Sequence, residues 1–215
     1  MKILKSIMVI GGIMAISSLS TQAYYSSRAE VSNNQFSTGT WPTTTTTTAA
    51  PAPPQIVINE VYYDVAGDKG SEPNDEWIEL YNNGDTAVSL KDWTITDNST
   101  ARAINANKSI PAHGFALISK DHSTWSLYWS VPGGVEIIEL GQNIGNGLSN
   151  SGDRVILKDS TGQIIDQMNY GSDTFVFNPA CFDVTEGHSL ERSPIGHDSD
   201  QASDFIDQAN PTPGS

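Results

Sequence analysis

Cysteine is almost missing from this chain. Cys181 is the only one in 215 residues, so no internal disulfide can form. The fold must hold by packing alone, which a domain of ~160 residues can do by burying roughly 68–70% of its extended surface. Basic residues are also scarce: 11 Lys and Arg face 25 Asp and Glu, for a net charge of −14. Beyond Lys5 the cations are Arg28, Lys69, Lys91, Arg102, Lys108, Lys120, Arg154, Lys158 and Arg192, and they form no cluster. Phosphate-backbone binding needs clustered cations that release counterions, so nucleic acid is not expected as a partner. The four histidines, His113, His122, His188 and His197, show no HExxH or paired spacing, which gives zinc no support. Gly187-His188-Ser189 lacks the G-x-S-x-G elbow of a hydrolase. The glycine-rich stretch Gly141–Gly152 follows neither a P-loop nor a dinucleotide pattern and reads as a flexible loop. Cys181, beside Phe182, reads as a small buried side chain, with a reactive thiol as the alternative.

The front of the chain reads as an address and a tether. Lys2 and Lys5 precede the apolar run Ile7–Leu19, and Thr21-Gln22-Ala23 places small residues where a signal peptidase looks. The run is 13 residues, short of the ~20 needed to span a bilayer. Residues 1–23 are therefore expected to be a cleaved signal peptide, with membrane contact only where it stays uncleaved. Tyr24 rather than cysteine follows the site, which excludes a lipid anchor there. Cleavage leaves nine basic side chains against 25 acidic ones, a net −16. Residues 24–54 read as a linker. Its Pro42–Pro54 portion, PTTTTTTAAPAPP, favours an extended conformation. At ~3.1 Å per residue it would hold the next domain ~40 Å away. The threonines are candidates for O-glycosylation, and a plain spacer is the simpler account.

Residues 55–215 carry short strand-like runs divided by turn residues: Gln55–Tyr63, Glu76–Asn82, Val88–Thr96, Phe115–Ser119, Val135–Leu140, Arg154–Lys158, Gln163–Tyr170, His188–Arg192 and Asp204–Ile206. Asn83-Gly84-Asp85 and Asp159–Gly162 read as turns. Trp125, Tyr128 and Trp129 recur at i, i+3 and i+4 ahead of Pro132, which predicts a helical turn within Asp121–Val131. Leu90 and Trp93 are the expected core anchors. The pattern is an all-β antiparallel sandwich with a short helical insertion.

The densest charge is Glu60, Asp64, Asp68, Glu72, Asp75, Glu76 and Glu79. The loop after the first strand could gather Asp64, Asp68, Glu72 and Asp75 as oxygen ligands for a hard cation. No EF-hand spacing is present, so a solvated acidic loop is the plainer expectation; no cofactor is required, and calcium is the one the loop could accept. Glu60 and Glu79 sit among apolar neighbours inside strands. Paired carboxylates could serve glycosidase chemistry, but carboxylates bonded to backbone N–H groups or to Arg192 fit a small sandwich better. Trp77, Trp93, Trp125 and Trp129 could supply a sugar-stacking platform. Trp125 and Trp129, in the insertion, are the candidate ligand-binding pair, with packing onto the sandwich as the plainer alternative.

Two resemblances bear on these residues. Ala23-Tyr24, Asn34, Phe36 and Gly39 are similar to the processing region of the bacterial biofilm-matrix fibre and camelysin group, which implies export to a bacterial extracellular setting. From Ile56 to Gly214 the chain resembles the lamin-tail domain, an immunoglobulin-like module. The resemblance rests on Ile58–Val61, Asp75–Asn82, Leu90–Trp93, Leu148-Ser149, Gly152-Asp153, Leu157–Asp159 with Gly162, Ile165-Asp166, Ser189–Arg192, Ser203–Phe205 and Pro211–Gly214. It implies an immunoglobulin-like fold and no shared catalytic residues. The expectation is thus a secreted or surface module that binds protein or polysaccharide. The segment Lys120–Gly141 is longer than this resemblance requires.

Overall fold

The computed structural model describes residues 56–105 and 107–215. The leader and the Thr/Pro tract expected in 1–54 lie outside them. β1 (Ile56–Tyr62), β2 (Trp77–Asn82), β7 (Phe115–Ser119), β8 (Glu136–Glu139), β11 (Ser189–Arg192) and β12 (Phe205–Gln208) form a six-stranded sheet in the order β12-β11-β1-β2-β7-β8. β4 (Trp93–Thr96), β5 (Ala101–Ile104), β9 (Gly152–Lys158) and β10 (Ile164–Gly171) form a four-stranded sheet in the order β10-β9-β4-β5. The two-residue strands β3 (Val88–Ser89) and β6 (Ser109–Ile110) pair beside them.

The alternation of side chains decides what each sheet buries. Ile78 and Leu80 of β2, Leu190 of β11, Ala116 and Ile118 of β7, Ile95 of β4, Val155 and Leu157 of β9 and Met168 of β10 all join one buried core. Burying each of the larger ones contributes about 1.5–3 kcal/mol. β1 is buried along its whole length. A bulge between Ile58 and Glu60 shifts its register. Ile56, Ile58, Val61 and Tyr63 thereby all reach the core, while Tyr62 joins a second cluster with Trp77 and Leu117 on the opposite face of the sheet. The sheets are also joined by charge. Arg192 Nη2 lies 2.9 Å from Asp166 Oδ2 of β10, and Arg192 Nε donates to Ile58 O at 2.8 Å. Asp198 and Asp204 flank the same guanidinium at 3.2 and 3.3 Å. Burial holds the Asp166 carboxyl up at about 6 despite Arg192.

Three expectations are corrected. Val88–Thr96 is two strands, because the chain folds back at Leu90–Trp93 with Asp92 at φ 63°; Leu90 and Trp93 do sit in the core. One neighbouring pair is parallel: β8 runs alongside β7, because the segment between them crosses over and returns to the same end. The stretch Gly141–Gly152 is fastened rather than flexible. Asn146 N, Leu148 N and Ser149 N donate to Asp97, Glu76 and Asp153, and Arg102 Nε donates to Gly145 O at 2.8 Å.

Candidate functional site

The outer face of the six-stranded sheet concentrates the chemistry, and two segments cover it. Glu191 of β11, Glu60 of β1 and Glu79 of β2 are direct cross-strand partners, so three carboxylates occupy one rung. Like charges placed this way repel. All three are buried. The chain terminus lies across them and supplies N–H donors. Thr212 N donates to Glu60 Oε1 at 3.1 Å, and Gly214 N donates to Glu79 Oε2. Ser189 Oγ also bonds Glu60, Asn59 Nδ2 donates to Glu79 Oε1 at 2.9 Å, and Gln208 Nε2 donates to Glu191 Oε2 at 2.6 Å. Burial, with the neighbouring glutamates, outweighs these bonds and pushes Glu60 up to about 7 and Glu79 up to about 8. The terminus fits only because residue 214 is glycine. Its φ is +92°, and an added Cβ would stand 2.8 Å from Pro132 Cδ and 2.9 Å from Val135 Cγ2.

Pro132 and Val135 belong to the Lys120–Gly141 insertion, which covers the other half of this face. Asp121 caps a single helical turn, α1 (His122–Trp125), by accepting from Ser123 N at 2.8 Å. The chain then turns twice more, through Leu127 N to Thr124 O and Tyr128 N to Trp125 O. This drives Trp125 and Trp129 onto the sheet. Tyr62 and Trp77, paired across β1 and β2, stack with centroids 5.7 Å apart and planes 22° from parallel. Trp129 stands edge-on to both, at 5.2 Å from Tyr62 and 5.7 Å from Trp77. Trp125 meets Trp77 edge-on at 6.5 Å, and Lys69 Nζ lies 4.8 Å from the Trp129 centroid.

The sequence-predicted ligand pair is therefore not an exposed platform. Trp125 has 0% exposure, and Trp129 is partly buried against the second cluster. The helical spacing aimed both rings inward, and Leu127, 76% exposed, takes the outward position.

The acidic loop is divided in the same manner. Asp64 Oδ1 and both Glu72 oxygens accept from Asn150 Nδ2, and Glu72 also accepts from Val65 N. Asp68 is exposed on its own. Asp75 is buried and accepts from Ser71 N at 2.9 Å. Only Asp64 and Glu72 come together out of the four predicted ligands. Among the described residues no group of three or more His, Cys, Asp or Glu takes up a metal-binding arrangement. Burial, then the charge of Glu72, raises the Asp64 carboxyl to about 6. Glu76 receives Leu148 N on both oxygens, and burial lifts it to about 8. Cys181 is buried beside Ala202 O, and burial raises its thiol to about 12, far from a reactive thiolate.

Sequence reasoning read Glu60 and Glu79 as structural carboxylates bonded to backbone N–H groups or to Arg192, and the backbone alternative is the one found. Arg192 turns to Ile58 O and Asp166 on the core side, and Ser189 Oγ and Asn59 Nδ2 add to the backbone donors of the glutamates. Glu191 was missed. Its only signal was its place in β11, which carries no information until strand order is known. An open surface pocket of about 580 Å³ lies elsewhere, lined by Arg154, Ser172, Asp173, Thr174 and Phe175. Arg154 Nη2 there pairs with Asp173 Oδ2 at 2.6 Å, and Arg154 Cζ lies 4.1 Å from the Phe175 centroid.

Residues 49–172 match the family model of the Lamin Tail Domain. The match takes in β1 to β10 and ends ahead of β11, the antiparallel neighbour of β1. No curated protein matches the chain.

Proposed function

The chain belongs to the lamin tail domain family, and from that premise we propose that it is a secreted or cell-surface recognition module without catalytic activity, which binds protein or polysaccharide or serves a matrix through its periphery. One observation carries the reading: the strand-borne carboxylates Glu60, Glu79 and Asp166, and Glu76 just ahead of β2, are each committed to backbone N–H groups inside the scaffold. A carboxylate used this way is not a general base waiting for substrate. The leader read in residues 1–23 supports export, and the threonine-proline tract supports display away from a surface. The acidic balance favours neutral or basic partners.

The test is capture. Immobilised full-length mature chain is offered bacterial surface polysaccharide and surface protein fractions. Saturable retention of one component, released unchanged, is the expected outcome. Turnover of a captured polymer that Glu60→Gln abolishes without unfolding the protein would contradict the reading. A calcium-stabilised form of the same module is the second reading, favoured by Asp64 and Glu72 facing one another across Asn150. A calcium-dependent rise in melting temperature, reversed by chelator, is the result that would establish it.

A further inference from the structure

We propose that the aromatic cluster beneath the Lys120–Gly141 segment is a covered binding site for a neutral saccharide ring, with Tyr62 and Trp77 as its floor and Trp129 as its lid. The inference rests on the reading of the chain as a recognition module and names its ligand class.

Four ring nitrogens in this cluster, Trp77 Nε1, Trp125 Nε1, Trp129 Nε1 and His122 Nδ1, are buried without a partner. They are four of the six such side-chain atoms among the described residues, so the mismatch is concentrated in one place. Native interiors pair more than nine in ten of their buried polar groups, and a cluster of exceptions needs a cause. The closed arrangement leaves these four nitrogens without a partner. Lifting the segment would return Trp125, Trp129 and His122 to water and leave Trp77 Nε1 free to donate.

The floor has the geometry that sugar recognition requires. Tyr62 and Trp77 are held rigidly on adjacent strands with their rings 22° from parallel. The two rings stack on one another, so a pyranose would take the place of Trp129 beside both of them, with a hydroxyl accepting from the indole N–H. Trp129 now occupies that position edge-on. The surroundings are acidic: the Tyr62 hydroxyl is raised by burial first, then by Asp68, Asp64 and Glu186. These three carboxylates outnumber Lys69, whose Nζ lies 4.8 Å from the Trp129 centroid, so a neutral ring is favoured over uronic or phosphorylated ones.

The lid is lightly held. Between Lys120 and Gly141 only Trp125 and Ile138 are buried, and Ile138 belongs to β8. Gly133 and Gly134 have nothing within 4 Å of a Cβ position, so open space surrounds them, while Leu140 N and Gly141 N donate to Ser119 O and Lys120 O at the far end of the segment. Segments with few buried apolar contacts open at lower free energy than the core. Tyr62, Trp77 and Leu117 stay behind on the sheet.

The experiment is a titration of the full mature chain with cellohexaose and chitohexaose, read by tryptophan fluorescence and by amide hydrogen exchange. Binding is expected with one of the two, together with faster exchange at the Trp125–Trp129 amides. Two substitutions should act in opposite directions. Trp129→Ala removes the lid and should tighten binding about tenfold, because a larger fraction of molecules is competent. Trp77→Phe keeps the packing but removes the donor and part of the floor, and should weaken binding about tenfold. A cluster that only holds the fold together would be damaged alike by both. Binding unaffected by either substitution, or weakened by both, overturns the covered site yet leaves the recognition module standing. No binding by wild type or Trp129→Ala, with a protein captured instead, does the same. Failure to capture anything removes both readings.

Discussion

Replacing Glu79 by Gln should stabilise this protein in alkaline solution. Glu79 is fully buried on a rung with Glu60 and Glu191. Its carboxyl is raised from 4.5 to about 8, by burial first. The unfolded chain therefore releases this proton near 4.5, whereas the folded chain keeps it until about 8. Between those values the native state binds more protons than the unfolded state, so stability falls as pH rises. The contribution is complete below pH 4.5 and gone above about 8. A shift of this size corresponds to about 4–5 kcal/mol at 1.36 kcal/mol per unit. Repulsion shared with Glu60 makes part of it common to both residues, and so not recovered by one substitution. Gln also offers one acceptor where Glu79 receives both Asn59 Nδ2 and Gly214 N, a mismatch of about 1 kcal/mol. The net expectation for Glu79→Gln is a gain of about 2–3 kcal/mol at pH 8.5 and a change under about 1 kcal/mol at pH 5. Urea unfolding of both proteins between pH 5 and 9 measures it, and the wild type should lose stability across that range. A wild-type profile that climbs toward pH 8.5, or a Gln variant weakened equally at both ends, would refute the reasoning. It would mean that the N–H donors of the terminus outweigh desolvation.

Three further outcomes are expected. Arg192→Ala leaves Asp166 buried without its cation and should lower stability by about 3–5 kcal/mol in thermal unfolding, with Arg192→Met less harmful than Ala because it fills the volume. Gly145→Ala should disorder the 141–152 stretch, since a Cβ there would stand 2.0 Å from the Asp97 carboxyl at a φ of +56°, and faster amide exchange at Asn146 and Leu148 reads it. Adding calcium or chelator should leave the melting temperature unchanged, because Asp68 and Asp75 do not join Asp64 and Glu72; a calcium-dependent rise would restore the adhesion reading.

The strands that sequence could locate are those whose own residues carry the pattern. Trp77–Asn82 and Phe115–Ser119 alternate or run apolar between clear turn residues, and they appear nearly where expected. Ala101–Ile104 and Ser109–Ile110 went unseen because ARAI and SI have too little apolar character to stand out from loop. The parallel placement of Glu136–Glu139 was invisible for another reason: alternation reports which face is buried, not which neighbour lies alongside. The site follows the same division. Glu60 and Glu79 were suspicious as single residues, being charged inside apolar strands. Their rung with Glu191, and the Thr212 and Gly214 donors that cover it, arise from contacts spanning more than 130 residues. Trp125 and Trp129 were legible as a pair, but helical spacing alone does not say whether the shared face meets water or sheet.

The central claim is that the carboxylates of this fold hold the scaffold while its covering segments and periphery make contact with partners. The most direct measurement compares wild type with a Glu60→Gln, Glu79→Gln double variant, first for folding by near-ultraviolet circular dichroism and then for capture of the same surface component with product analysis. The account predicts equal capture and an unaltered ligand in both cases. A folded double variant that no longer captures the component, or that fails to cleave a polymer the wild type cleaves, would contradict it.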